Sequence, residues 1–302
     1  MLDICLLGCG GTYPLPQRHL TSLMARYNGK CVLIDCGEGT QMAIREAQLT
    51  FKPIDVICIT HFHADHISGL PGLLLTIGNS EREEPLTIIG PKGIKRVVNS
   101  LCIIAPKLPF EINFIEVSSP EESFEFDDYT INAFRLYHEI ECIGYSITID
   151  RNPKFLPEKA SALNLPVKYW GLLQNGKNVE YEGCTYTPDM VCGKPRKGLR
   201  LCYATDTRPV SALLKNAKDS DLLICEGMYG DDEKMDDALK KRHMTFAEAA
   251  EIASESNVKE LWLTHFSPSM PNPADYIKSA TDIFKNTSLG TDCRKTTLYF
   301  ED

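Results

Sequence analysis

Hydrophobic positions along the chain follow two alternating rhythms. Near-continuous apolar runs at 31–35 (CVLID), 54–60 (IDVICIT), 86–89 (LTII), 129–137, 199–205, 221–225 and 260–264 read as strands. A strand covered on both faces shows no polar alternation, so such runs are what a buried sheet predicts. Between them, 40–47, 69–77, 93–104, 209–217 and 245–256 place apolar residues at helical spacing. The last of these opens with a capping box, Thr245 followed three residues later by Glu248. A strand at 4–7 precedes Gly8-Cys9-Gly10-Gly11-Thr12, which reads as a tight turn. Strands alternating with helices predict an α/β layered protein.

One stretch breaks the rhythm. Residues 150–197 hold Pro153, Pro157, Pro166, Pro188 and Pro195 together with Gly171, Gly176, Gly183 and Gly193. They are expected to form an irregular arm inserted into a single domain spanning 1–302.

No apolar run reaches the roughly 18–20 residues of a membrane span, so no membrane partner is expected. Met1-Leu2-Asp3-Ile4 has no basic region before its apolar residues and reads as strand, not signal peptide. The twelve cysteines contain no C-x-x-C pair, and Cys58, Cys142, Cys202 and Cys225 sit inside apolar runs. Free, buried thiols in a reducing compartment follow, and with them a cytoplasmic protein.

The 302 residues carry 32 Lys+Arg against 41 Asp+Glu, a net charge of −9. That balance argues against indiscriminate nucleic-acid binding, which normally shows a basic stripe. It leaves room for local patches, such as Lys194, Arg196, Lys197 and Arg200, or Lys92, Lys95 and Arg96.

The chemistry gathers at strand ends. His61-Phe62-His63-Ala64-Asp65-His66 follows directly on the strand at 54–60, four metal-capable side chains in six residues. His138 ends the strand 129–137, Asp206 ends 199–205, Glu226 ends 221–225 and His265 ends 260–264. Clefts at such ends are where α/β sheets hold ligands. A catalytic zinc takes three protein ligands and keeps one position open. His61, His63 and His138 can make one such set, Asp65, His66 and His265 the other, with Asp206 bridging. Imidazoles with few carboxylates favour zinc over magnesium or calcium, so two Zn2+ per chain are expected, with Mn2+ or Fe left open.

This constellation resembles the metallo-β-lactamase superfamily. Asp35-Cys36-Gly37-Glu38-Gly39-Thr40-Gln41, Gly69-Leu70-Pro71-Gly72-Leu73-Leu74, Gly90-Pro91-Lys92-Gly93-Ile94 and Asp206-Thr207-Arg208 narrow the resemblance to the ribonuclease Z family. It implies an αββα sandwich, a homodimer, and hydrolysis of the phosphodiester that joins the 3′ trailer to precursor tRNA. His243 with Thr245 is similar to that family's H-x-T motif, where the histidine acts at the leaving oxygen. Glu226 would orient His243, and Asp65 would be both a ligand and the group handling the nucleophile's proton. The resemblance also implies that the 150–197 arm grips RNA, through Lys168, Lys194, Arg196 and Lys197. The competing reading within the same fold is a hydrolase of a small ester, lactone or cyclic phosphodiester.

Overall fold

The computed structural model describes residues 1–105 and 107–301. The first half of the chain supplies strands β1 (Leu2–Gly8), β2 (Ser22–Tyr27), β3 (Lys30–Ile34), β4 (Ile54–Cys58), β5 (Leu86–Gly90) and β6 (Ile112–Glu116). Next come β7 (Glu121–Glu125), β8 (Thr130–Arg135) and β9 (Ile143–Ile149), then a short hairpin, β10 (Val179–Tyr181) and β11 (Cys184–Tyr186). The last third adds β12 (Leu199–Ala204), β13 (Leu222–Glu226), β14 (Leu261–Thr264), β15 (Thr287–Leu289) and β16 (Arg294–Leu298).

These strands make two seven-stranded sheets, ordered β16-β1-β2-β3-β4-β5-β6 and β15-β14-β13-β12-β9-β8-β7. In the first, β3 to β6 run parallel, as do β12 to β15 in the second. Helices cover the outer faces. Thr40–Glu46, Leu70–Asn79 and Ile94–Leu101 pack on the first sheet through Ile44, Leu73, Leu74 and Val98. Phe246–Glu255 packs on β13 and β14 of the second. The architecture is an αββα sandwich.

The central parallel strands are buried on both faces, which is why their sequences run apolar without alternation. The edges read differently. In β7, Glu121, Glu122 and Glu125 line an outer strand with an exposed–intermediate alternation, charges that discourage further strand pairing. Two compact units emerge by contact: 1–148 with 200–298, and Ile149–Leu199 with the C-terminal residues from Tyr299. The segment 150–197 falls in the second, where its prolines and glycines separate short helices (Pro157–Ala162, Trp170–Gln174, Pro188–Val191) and the β10–β11 hairpin. Ala160, Leu165, Leu173, Val179, Val191 and Cys192 form that unit's own core, with Phe155, Tyr169 and Trp170 packed against it.

Candidate metal centre

The parallel strands deliver their ends side by side. Ala204 pairs with Cys225 and Glu226 with Thr264, so Asp206, Glu226 and His265 emerge from adjacent strands at one edge. His61 follows β4 and His138 follows β8. His63 caps a one-turn helix, Ala64–Ile67, that presents Asp65 and His66. Asp35, Asp206 and His265 take left-handed backbone angles, φ 59°, 55° and 57°. Such conformations cost about 1–3 kcal/mol each in a non-glycine residue and persist only where surrounding structure enforces them.

The seven expected ligands converge. His61, His63, His138 and Asp206 bring donor atoms within 4.8 Å of one another, and so do Asp65, His66 and His265. Asp206 lies between the two sets with its oxygens divided. Its Oδ1 is 3.8 Å from His61 Nε2 and 3.7 Å from His138 Nε2. Its Oδ2 is 3.1 Å from His66 Nε2 and 3.3 Å from His265 Nε2. Asp65 Oδ2 is 3.5 Å from His66 Nε2 and 3.4 Å from His265 Nε2.

The donor set fits cations. His61 Nε2 and Asp206 Oδ2 are buried without a hydrogen-bond partner among the described residues. Burial holds the His61 imidazole well below its usual pKa, with neighbouring His66 acting in the same direction, so its lone pair is free to ligate. Burial would raise Asp206, yet His265, His66 and His61 outweigh it and hold the carboxyl well below the usual range. An uncompensated cluster of this polarity would be costly to bury.

A second set of contacts fixes the imidazoles. His66 Nδ1 donates to Asp35 Oδ2 at 2.7 Å, and Thr60 donates to the same carboxylate from its N–H at 2.8 Å and its hydroxyl at 2.9 Å. With the Thr60 O–H directed at Asp35, the hydroxyl oxygen accepts from His61 Nδ1 at 3.0 Å. One buried carboxylate thereby orients a ligand from each set, the usual way metal-bound histidines are held. The Gly8–Thr12 turn also does more than reverse the chain. Thr12 N–H donates to Asp65 Oδ2 at 2.6 Å, and a Cβ on Gly11 would lie 2.7 Å from the His265 ring. Gly37 is similarly required, because a Cβ there would meet the Asp65 carbonyl at 2.3 Å.

Beside the cluster, Glu226 Oε2 accepts from His243 Nδ1 at 3.0 Å and from Met244 N–H at 3.1 Å. Burial pushes the His243 imidazole down, but Glu226 and then Asp206 outweigh it and raise the group to about 9. Arg208 donates to the His243 carbonyl at 2.6 Å and pairs with Glu248, the residue that closes the Thr245 capping box. A cleft of about 530 Å³ opens over these groups, lined by His63, Asp65, His138, Asp206, His243 and His265, with Thr12, Tyr229 and Lys241 among the others. Lys168, Lys194, Arg196 and Lys197 belong to the second unit and form no part of the ligand cluster. There, Lys168 Nζ sits 4.8 Å from the Tyr169 ring centre and Arg196 Nε donates to the Asn152 carbonyl. The sequence reading does not anticipate the orienting roles of Asp35, Thr60, Thr12 and Arg208. The Asp35–Gln41 and Asp206–Arg208 motifs were the available signal for two of them.

A histidine–aspartate cluster on the strand ends of an αββα sandwich defines a hydrolase of the metallo-β-lactamase superfamily, and a Beta-lactamase superfamily domain model matches residues 191–266. A model described as Anti-Pycsar protein Apyc1 matches residues 2–159. The chain belongs to the ribonuclease Z family. It is 54% identical over 301 residues to a ribonuclease Z of Lachnoclostridium phytofermentans, covering 100% of this chain and 99% of that protein. It is 56% identical over 302 residues to a ribonuclease Z of Agathobacter rectalis, covering 100% of both. Among solved structures it is similar to human tRNase Z, short form, at TM-score 0.72 and 26% identity, over 99% of this chain and 100% of that one.

Proposed function

We propose that this chain is a dinuclear zinc endoribonuclease that removes the 3′ trailer from precursor tRNA. The observation that carries the reading is the Glu226–His243 pair set against the two-set ligand cluster, in a chain that matches ribonuclease Z from end to end. His61, His63 and His138 would hold one zinc, Asp65, His66 and His265 the other, with Asp206 serving both. When bound, the two cations would polarise the phosphodiester and lower the pKa of an attacking water. Asp65, steadied by Thr12 N–H, accepts the proton that water must lose. His243, held protonated by Glu226, donates to the 3′ oxygen as its bond to phosphorus breaks, so an alkoxide never has to leave.

Lys168, Lys194, Arg196 and Lys197 of the second unit are the proposed RNA grip, acting as a homodimer in the cytoplasm. Among the described residues no helix is long and apolar enough to cross a membrane. Incubation of purified zinc-loaded protein with a 3′-extended tRNA precursor, with the cut mapped, tests the activity. A single cut releasing an intact trailer supports it. No cleavage alongside rapid hydrolysis of a small cyclic phosphodiester would favour the small-substrate reading.

A further inference from the structure

A metal-bound imidazole needs its second nitrogen held, and the three best-defined holds in this centre differ in kind. His66 and His61 depend on Asp35, the second through Thr60. His138 depends on main chain. Its Nδ1 lies 3.4 Å from the carbonyl of Arg242, 104 residues away in sequence. Arg242 returns the contact, because its guanidinium donates to the His138 carbonyl at 2.6 Å and lies 4.8 Å from the ring centre of Tyr137. The two residues are therefore joined by one bond in each direction, with the neighbouring aromatic ring as a backing.

Arg242 also ends the helix Met235–Lys241 in the left-handed conformation, φ 57° and ψ 48°. Glycine is the ordinary residue there, because the Cβ of any other residue crowds the neighbouring carbonyl in that conformation. Helix termination alone gives no reason for a guanidinium at that position. Its chain neighbour is His243, whose ring centre lies 5.0 Å from that of His138. We infer that Arg242 is a positioning residue that clasps His138 through both main chain and side chain, and so sets the spacing between a metal ligand and the proton donor. The metal half of this inference stands on the ligand geometry, whereas the proton-donor half rests on the endoribonuclease reading.

Arg242→Gly separates the contributions. Glycine keeps the left-handed backbone and the carbonyl that receives His138 Nδ1, and removes the guanidinium and its stack on Tyr137. Arg242→Lys restores one donor without the planar fork. Zinc affinity is read without RNA, by competition with a chromophoric chelator. The His138 tautomer is read in zinc-free protein from long-range proton–nitrogen spectra. Turnover and KM are read on precursor tRNA. In Arg242→Gly one of the two zinc equivalents should weaken about tenfold and the other stay within about twofold, in the lower range for such orienting partners. The Nδ1-protonated form of His138 should stay dominant, because the carbonyl that receives it is kept, and kcat should fall about tenfold at unchanged KM, with Arg242→Lys between. Unchanged affinity for both equivalents would overturn the clasp. A rise in KM alone would make Arg242 an RNA contact instead and likewise overturn it. If wild-type protein leaves precursor tRNA uncut, the endoribonuclease reading fails while the zinc measurements still decide the clasp.

Discussion

Asp35 Oδ2 lies 2.7 Å from His66 Nδ1, and both side chains are fully buried. Burial by itself raises the Asp35 carboxyl, and the His66 and Thr60 contacts oppose that rise. A charge in this position is tolerated only because all its neighbours donate to it. Since Thr60 carries the same carboxylate's influence to His61, Asp35 touches both ligand sets. Asp35→Asn keeps the shape and loses the charge. Affinity for both zinc equivalents should drop, each by about 10–100-fold, measured by chelator competition. Weakening confined to one equivalent would show that the Thr60 relay has no energetic consequence.

Asp206 divides its oxygens between the two sets, at 3.7–3.8 Å on one side and 3.1–3.3 Å on the other. Asp206→Ala should therefore damage both sites together, whereas His138→Ala should damage one. Metal analysis of the Asp206 variant that finds two fully retained ions per chain refutes the bridge.

The His243–Glu226 pair makes a kinetic prediction. His243→Ala should leave zinc content and RNA affinity nearly intact and lower kcat by about 10²–10⁴-fold, the usual worth of a general acid. On a diester with an activated aryl leaving group the loss should shrink, because that group departs without a proton. Equal losses on both substrates would remove His243 from the acid role. Glu226→Gln adds a pH signature. Glu226 raises the His243 pKa against the lowering effect of burial, so the donor is protonated below the raised value and loses its proton as pH rises through it. Without the carboxylate the pKa falls, and the alkaline limb of the kcat profile should move to lower pH.

What could be read from sequence divides along physical lines. The buried parallel strands ending at His61, Asp206, Glu226 and His265 are legible because two covered faces leave only apolar residues. The edge strand β7 is hidden, since Glu121, Glu122 and Glu125 give it the composition of a loop. The short helix Ala64–Ile67 is masked by the ligands it carries. The grouping of the donor side chains follows from residue type and strand position, and the structure brings the donor atoms of each set within 4.8 Å of one another. The orienting partners do not follow in this way, because they are set by tertiary contact. Asp35 is 31 residues from His66, and Thr12 is 53 from Asp65. No local pattern announces either pairing.

The last prediction concerns the second unit and separates an RNA enzyme from a small-substrate hydrolase. Residues 150–197 carry Lys168, Lys194, Arg196 and Lys197 in a chain of net charge −9. In the structure Lys194, Arg196 and Lys197 are exposed, and Lys168 packs its ammonium near Tyr169. An acidic protein that holds a polyanion needs such a local cluster, because phosphate contacts supply most of the affinity and release counterions. The unit has its own apolar core, built from Leu165, Leu173, Val179 and Val191. Replacing 153–190 with a short Gly/Ser linker should raise KM for precursor tRNA strongly while hydrolysis of a small phosphodiester changes little. The reason is that binding energy shared equally by ground and transition states is lost, and the chemistry is not. Affinity of the intact protein for precursor tRNA should fall steeply with salt, and that of the trimmed protein much less. If the trimmed, folded enzyme processes precursor tRNA with unchanged KM and an unchanged salt slope, the grip does not lie in 153–190 and Lys168 is surface charge.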